Sequence, residues 1–163
     1  MMKILLILSF LLQAAGSACP GGWKQNGQSC YLFSHDKEDW PGAYTMCTVM
    51  NAHLVEIDDI DENKFLVSNA QSEIIARETF WMGLSDTMEE GVWTWMTSRQ
   101  PSTQYTNWAP DQPSIVNSFN QYGRKQENCA NFHGTQGFWS DALCSLPDYY
   151  ICEKRAQSAP IVG

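Results

Sequence analysis

The sequence predicts a single α+β domain tied together by disulfides. Helical periodicity is confined to the first half, aromatic-rich strand runs fill the second half, and all six cysteines follow a leader-like N-terminus. Met1-Met2-Lys3 supplies a short basic region, Ile4 to Leu12 an apolar run, and Ala14-Ala15-Gly16-Ser17-Ala18 the small residues that suit cleavage. Residues 1–18 therefore read as a secretory signal peptide cut near positions 16 to 18, which predicts a secreted, extracellular protein. The apolar run is too short to span a bilayer, and no later stretch approaches the ~20 apolar residues that a membrane helix needs.

About 145 residues remain, enough for one domain with a real core. Gln28-Ser29-Cys30-Tyr31-Leu32-Phe33 reads as a turn entering a first strand. A helix follows: Pro41 suits its first turn, and Trp40, Ala43, Tyr44, Cys47 and Met50 recur at spacings of three and four. His53 to Ile57 reads as a short strand. Asp59-Ile60-Asp61-Glu62-Asn63 opens a second helix with acidic residues at its positive end, and Phe65, Leu66 and Ala70 are available for packing. Thr79 to Leu84 and Val92 to Trp95 read as strands around a polar turn. Ser98 to Gln126, with Pro101, Pro110 and Pro113, reads as one long loop; loops beyond roughly 15 residues in a compact domain are usually functional or disordered, and the framing cysteines and Asn107-Trp108 favour function. Three short strands close the domain at Cys129 to His133, Gly137 to Ser140 and Tyr149 to Lys154. The predicted domain covers 19–155, and 156–163 reads as a flexible tail.

The formal charge of −8 becomes −9 when Lys3 leaves with the leader. Such a surface repels nucleic acid and anionic membranes and favours cations or mineral, or simply keeps the protein in solution. Six cysteines in an oxidising compartment predict three disulfides, although spacing does not choose the pairing. Zinc is a poor alternative, because no Cys-x-x-Cys pair exists and His35, His53 and His133 lack ligand spacing. A Gly-x-Ser-x-Gly elbow, a His-Glu-x-x-His helix and a glycine-rich phosphate loop are all missing from the sequence, so it reads as a binding module rather than an enzyme. Trp81, Trp93, Trp95, Trp108 and Trp139 sit where strands bury them and read as core before sugar stackers.

Several local motifs occur together: Cys19-Pro20, Gly22-Trp23, Cys30-Tyr31, Trp81-Met82-Gly83-Leu84, Asn107-Trp108, Glu127-Asn128-Cys129, Trp139-Ser140-Asp141 and Ile151-Cys152-Glu153. On these residues the chain resembles the C-type lectin-like domain family from Cys19 to Glu153, and within it the secreted single-domain invertebrate lectins, including the perlucin-like proteins of mollusc shell matrix. The resemblance implies a double-looped α+β fold with two helices, short antiparallel strands and a long loop that binds calcium and sugar. It implies the pairings Cys19 with Cys30, Cys47 with Cys152, and Cys129 with Cys144, and a cis peptide bond before Pro113.

By motif position, the family's sugar-binding calcium would be held by Gln112, Ser114, Glu127, Ser140 and Asp141. Two neighbouring sugar hydroxyls would complete its shell, so these five are also the expected carbohydrate-binding residues. Calcium takes about six to eight oxygen ligands, and carboxylates supply most of the attraction. Ser114 stands where the family carries Asn or Asp, and Ser140 where it carries Asn. A serine hydroxyl is neutral and short, so the expected affinity is at the weak extracellular end, about 10⁻⁴ to 10⁻³ M, or absent. The twelve residues Ile115 to Gln126 also lengthen the loop. In the family a Gln-Pro-Asp triplet implies galactose-type sugars and Glu-Pro-Asn mannose-type, so the resemblance implies a galactose-type lean at Gln112 over the mannose-type alternative, while Ser114 removes the carboxylate partner. Phe119 or Tyr122 could stack on a sugar face, or simply pin the loop. A second calcium position would draw on Asp86, Glu90, Glu127 and Asn128, with Ile115 in place of another acidic ligand, or these residues form a solvated acidic turn. The expected partners are glycans, with calcium carbonate or matrix proteins as the alternative.

Overall fold

Asp39 accepts a hydrogen bond from Gly42 N at 2.8 Å, and Pro41 occupies the first turn beyond it, so the first helix starts where a cap and a preset φ coincide. The structure, a computed structural model, describes residues 17–71, 78–114, 119–120, 123–124 and 126–158, and the side chains of all of these except 17, 119, 120, 123, 124 and 158. In chain order its elements are β1 (Ser17–Ala18), β2 (Lys24–Asn26), β3 (Ser29–Phe33), α1 (Trp40–Val49), β4 (His53–Leu54), α2 (Ile60–Ala70) and β5 (Thr79–Ser85). They continue with β6 (Thr94–Trp95), β7 (Phe119–Asn120), β8 (Gly123–Arg124), β9 (Cys129–His133), β10 (Trp139–Ala142), β11 (Tyr149–Arg155) and β12 (Gln157–Ser158).

This is the α+β architecture expected, with two helices in the first half and a mainly antiparallel sheet ordered β10-β9-β5-β11-β3-β2. β4 pairs with β11 and β6 with β5, and the β11–β5 pair is parallel. Ala43 and Cys47 of α1 are buried, with Trp40, Tyr44 and Met50 packed around them. The α2 cap is Asp59, whose carboxylate accepts from Asp61 N and Glu62 N at 2.9 and 2.8 Å. Leu66 and Ala70 of α2 meet Phe80, Met82, Phe132 and Trp139 in the main core.

Three disulfides close the chain, Cys19–Cys30, Cys47–Cys152 and Cys129–Cys144, which are the pairs that the family resemblance implies. Cys47–Cys152 joins α1 to β11 beneath Leu54 and Trp81, so the longest chain closure lies in the core.

Three readings of the sequence need correction. The strand expected over His53 to Ile57 stops at Leu54: Val55 divides its bonds between Ile151 O of β11 and Gly83 N of β5, and Glu56 directs its carboxylate to the amides of Thr97 and Ser98. The strand expected over Gly137 to Ser140 is Trp139–Ala142. Gly137, at φ +73°, is still turning, and its N–H closes the hairpin on His133 O at 2.7 Å. The segment Ser98 to Gln126 is not one irregular loop, since Pro101 bridges Thr94 and β7 pairs with β8. At the tail, Gln157 and Ser158 of β12 face Ala18 and Ser17 of β1, the last two residues of the expected leader. Residues 1–16, Ile115, Tyr122 and 159–163 lie outside the described residues, as does the side chain of Phe119.

Candidate carbohydrate and calcium site

The loop before Ser114 is fastened to β10. Trp139 N donates to Asn107 O at 2.9 Å and Ala109 N to Trp139 O at 2.8 Å, and Gln112 N then closes a turn on Ala109 O at 3.0 Å. The Gln112–Pro113 peptide bond is cis. Gln112 Oε1 accepts from Asp141 N at 3.1 Å, so the amide side chain lies along the end of β10.

Ser114 is the centre of the cluster. Its backbone N–H and its hydroxyl approach Asp141 Oδ2 at 2.9 and 2.8 Å, and the same hydroxyl lies 3.1 Å from Glu127 Oε2. A hydroxyl carries one proton and can satisfy only one of two carboxylates at a time. Asp141 is nine-tenths buried, and its second oxygen, Oδ1, has no hydrogen-bond partner among the described residues. Burying a carboxylate oxygen with nothing to bind it is costly, and a bound cation is one way to satisfy it. The structure thus brings together Gln112, Ser114, Glu127 and Asp141.

It does not bring in Ser140. Trp139 and Asp141 are buried on one side of β10, while Ser140 alternates to the other and its Oγ lies 2.8 Å from His133 Nε2. Burial lowers the pKa of His133, which favours the neutral imidazole in this pair.

At the second expected calcium position the contacts join Asp86 to the backbone of Asn128 and do not bring the side chains of Asp86, Glu90, Glu127 and Asn128 together. Asn128 O accepts from Ser85 Oγ at 2.6 Å and Asp86 N at 3.2 Å, which fixes the turn after β5 against the start of β9. Asp86 is only 4% exposed; its Oδ2 accepts from Gly91 N at 2.9 Å, and its Oδ1 is a second buried carboxylate oxygen without a partner. Burial raises its pKa, and the charges of Glu90 and Asp141 push the same way. Glu90 receives a long contact of 3.5 Å from Gln126 Nε2.

The candidate ligands at both places are oxygen atoms, and Asp141 and Asp86 each hold one buried carboxylate oxygen without a partner among the described residues, a chemistry that suits calcium better than a softer metal. Among the described residues no three acidic, histidine or cysteine side chains converge tightly.

Two residues that organise the region escaped the sequence reading. Asn63, 4% exposed, accepts from Trp139 Nε1 at 3.0 Å and donates to Gly137 O at 3.1 Å, locking the start of β10 to α2. Glu56 holds the Thr97–Ser98 turn. Neither lies in a recognisable motif, although a polar residue within an otherwise apolar helix face is a usable signal for Asn63.

The family model for the lectin C-type domain matches residues 36–154. The chain belongs to the C-type lectin domain family. Among its relatives, C-type lectin domain family 10 member A of Homo sapiens is 36% identical over 138 residues, covering 85% of this chain and 40% of that protein. A perlucin-like protein of Mytilus galloprovincialis is 30% identical over 154 residues, covering 90% of this chain and 93% of that one. The lectin domain therefore spans less than half of the human relative and nearly the whole of the mussel one. A solved carbohydrate-recognition domain, that of the mouse scavenger receptor C-type lectin, superposes with a TM-score of 0.73 at 32% identity over 87% of this chain and 100% of that chain. Among the described residues of the lectin domain no helix is long and apolar enough to cross a membrane.

Proposed function

We propose that this protein is a secreted lectin that binds carbohydrate through a weakly held calcium ion at Gln112, Ser114, Glu127 and Asp141. The observation that carries this reading is the single Ser114 hydroxyl set between two carboxylates, beside a buried Asp141 oxygen that nothing satisfies. Calcium at this place would neutralise the two carboxylates and accept two sugar hydroxyls into its shell. The chain's own part is orientation: Gln112 Oε1 and Ser114 N hold the backbone and side chain of Asp141, and Cys129–Cys144 ties the start of β9, two residues after Glu127, to the chain just beyond β10, which carries Asp141. A structural second ion at Asp86, Glu90, Glu127 and Asn128 would stiffen the same loop. The amide at Gln112 supports a galactose-type lean. Residues 1–18 serve as the leader, and the recognition domain follows it.

Calorimetric titration of calcium, alone and then with galactose or mannose, tests the proposal. Weak calcium binding that tightens in the presence of one sugar is the expected result. A glycan array that shows no ligand in calcium, or binding that ignores both a chelator and Asp141→Asn, overturns it.

The mussel relative, aligned over 93% of its length, and the acidic charge of −8 favour a second reading as a shell or extracellular matrix component of perlucin-like type. Such a component would bind mineral or protein with a degenerate sugar site. Adsorption to calcium carbonate without competition from free sugar selects that reading.

A further inference from the structure

A cavity of about 310 Å³ opens away from the calcium and sugar cluster, between the chain leaving β4, the turn after β6 and the segment 103–105. None of Gln112, Ser114, Glu127, Asp141, Asp86 or Glu90 lines it. Its size is at the lower end of the about 300–1,000 Å³ typical of small-ligand sites, enough for one monosaccharide.

Its walls are held rigidly. Trp95 and Tyr105 both contribute to the lining, and both rings pack edge-on against Trp139, with centroids 5.8 and 5.6 Å away. Trp139 is itself fixed by Asn63. The turn above is closed by Trp95 N on Gln100 O and Arg99 N on Trp95 O, each at 2.9 Å. Glu56, 9% exposed, pins the same turn, with Oε1 accepting from Thr97 N at 2.7 Å and Ser98 N at 3.1 Å.

Its chemistry is one-sided. Glu56 and Asp58 bring two carboxylates to the lining, whereas no lysine, arginine or histidine lines it. Burial, then the charges of Glu56 and Asp59, raise the pKa of Asp58, while the charge of His53 pulls it down by less, so the negative charge here is only partly compensated. The amides of Gln100 and Gln104 and the hydroxyls of Ser98 and Thr103 add both donors and acceptors around the carboxylates. An aromatic wall, amides and hydroxyls suit a sugar ring, and the Asp58 carboxylate, left over once Glu56 is engaged with the amides of Thr97 and Ser98, suits a cation.

We propose that this cavity is a second, calcium-independent ligand site that takes an amino sugar, with the protonated amine placed at Asp58 and the ring hydroxyls at the surrounding amides and hydroxyls. The site is separate from the proposed calcium cluster, and its test is run where that cluster is silent.

Glucosamine is titrated into the full ¹⁵N-labelled chain in excess chelator at slightly acid pH and followed by amide and indole NMR shifts. Glucose, N-acetylglucosamine and methylamine serve as controls. Glucosamine should move the Trp95 indole N–H and the amides of Ser98 and Thr103, while the three controls bind at least about tenfold more weakly, the cost of losing a charged hydrogen bond or the ring contacts. Asp58→Asn should weaken glucosamine by about tenfold, Thr103→Trp should fill the cavity and abolish the shifts, and Asp141→Asn should leave them unchanged. A glucose, N-acetylglucosamine or methylamine response equal to that of glucosamine overturns the proposal. So does loss of the shifts in Asp141→Asn, or their persistence in both Asp58→Asn and Thr103→Trp.

Discussion

Ser114 and Asp141 are joined twice: the backbone N–H and the side-chain hydroxyl of Ser114 both reach Oδ2 of Asp141, at 2.9 and 2.8 Å. The double contact fixes the loop after the cis peptide onto β10 and leaves Asp141 Oδ1 facing inward without a partner. A serine at this position therefore positions the neighbouring carboxylate more than it serves as a strong ligand of its own.

Restoring a carboxylate should tighten the ion. Ser114→Asp places a third negative group beside Glu127 and Asp141, and calcium affinity follows ligand charge. Affinity should rise by about tenfold by calorimetry. In chelator the same variant should melt a few degrees lower than wild type, because three close carboxylates repel. Unchanged affinity would show that the ion is not held at this cluster.

Ser140 leads to the opposite expectation. Its hydroxyl is engaged with His133 Nε2 on the other side of β10, so Ser140→Ala should leave sugar and calcium affinity within about twofold while costing about 1 kcal/mol of stability for the lost hydrogen bond. Affinity is checked by calorimetry and stability by urea unfolding. A tenfold loss of affinity would mean that Ser140 turns toward the ligand when the site fills.

The contrast between these two serines shows how far sequence alone can reach. Motif position nominates both as ligands, because Trp-Ser-Asp and Gln-Pro-Ser are local patterns. Which side of β10 a residue serves depends on strand alternation and on register with β9, where Ser140 faces Asn131 and His133 comes within reach across the hairpin. The two helices and the main strands were legible because their caps and apolar spacing are local, as at Asp39 and Asp59. The pairing of β1 with β12 joins residues from opposite ends of the described chain, and nothing in Gln157-Ser158 announces it. Glu56 was read as part of a strand because its role depends on amides 41 and 42 positions away.

The disulfides should separate stability from binding. Removing Cys47–Cys152 as a double alanine variant releases a closure of 105 residues in the core and should cost about 4–5 kcal/mol by chain entropy. Removing Cys129–Cys144, with a separation of 15, should cost about 3 kcal/mol. That smaller loss should nevertheless abolish calcium-dependent sugar binding at temperatures where the domain is still folded, because the bridge ties the start of β9, two residues after Glu127, to the chain just beyond β10, which carries Asp141. Thermal unfolding and glycan binding of the two variants provide the comparison. Retention of full binding without Cys129–Cys144 would show that the hydrogen bonds of Ser114 suffice.

A pH dependence should originate far from the sugar cluster, at Glu62 on α2. Its Oε1 accepts from the Tyr31 hydroxyl at 2.6 Å and its Oε2 from Asp58 N at 2.8 Å. Burial nevertheless pushes its pKa from 4.5 up to about 7, against the effect of those two bonds, and Glu153 and Asp58 facing it push it further up. The folded state then binds more protons than the unfolded chain between about pH 4.5 and 7, so this group lowers stability as pH rises through that window. Raised pKa values at Glu153 and Asp58 have the same sign. Glu62→Gln keeps an acceptor for Tyr31 and removes the titration, so urea unfolding should show the variant gaining on wild type as pH rises from 4.5 to 7, with little difference at the acid end. A constant difference between the two proteins across that range would place the titration elsewhere.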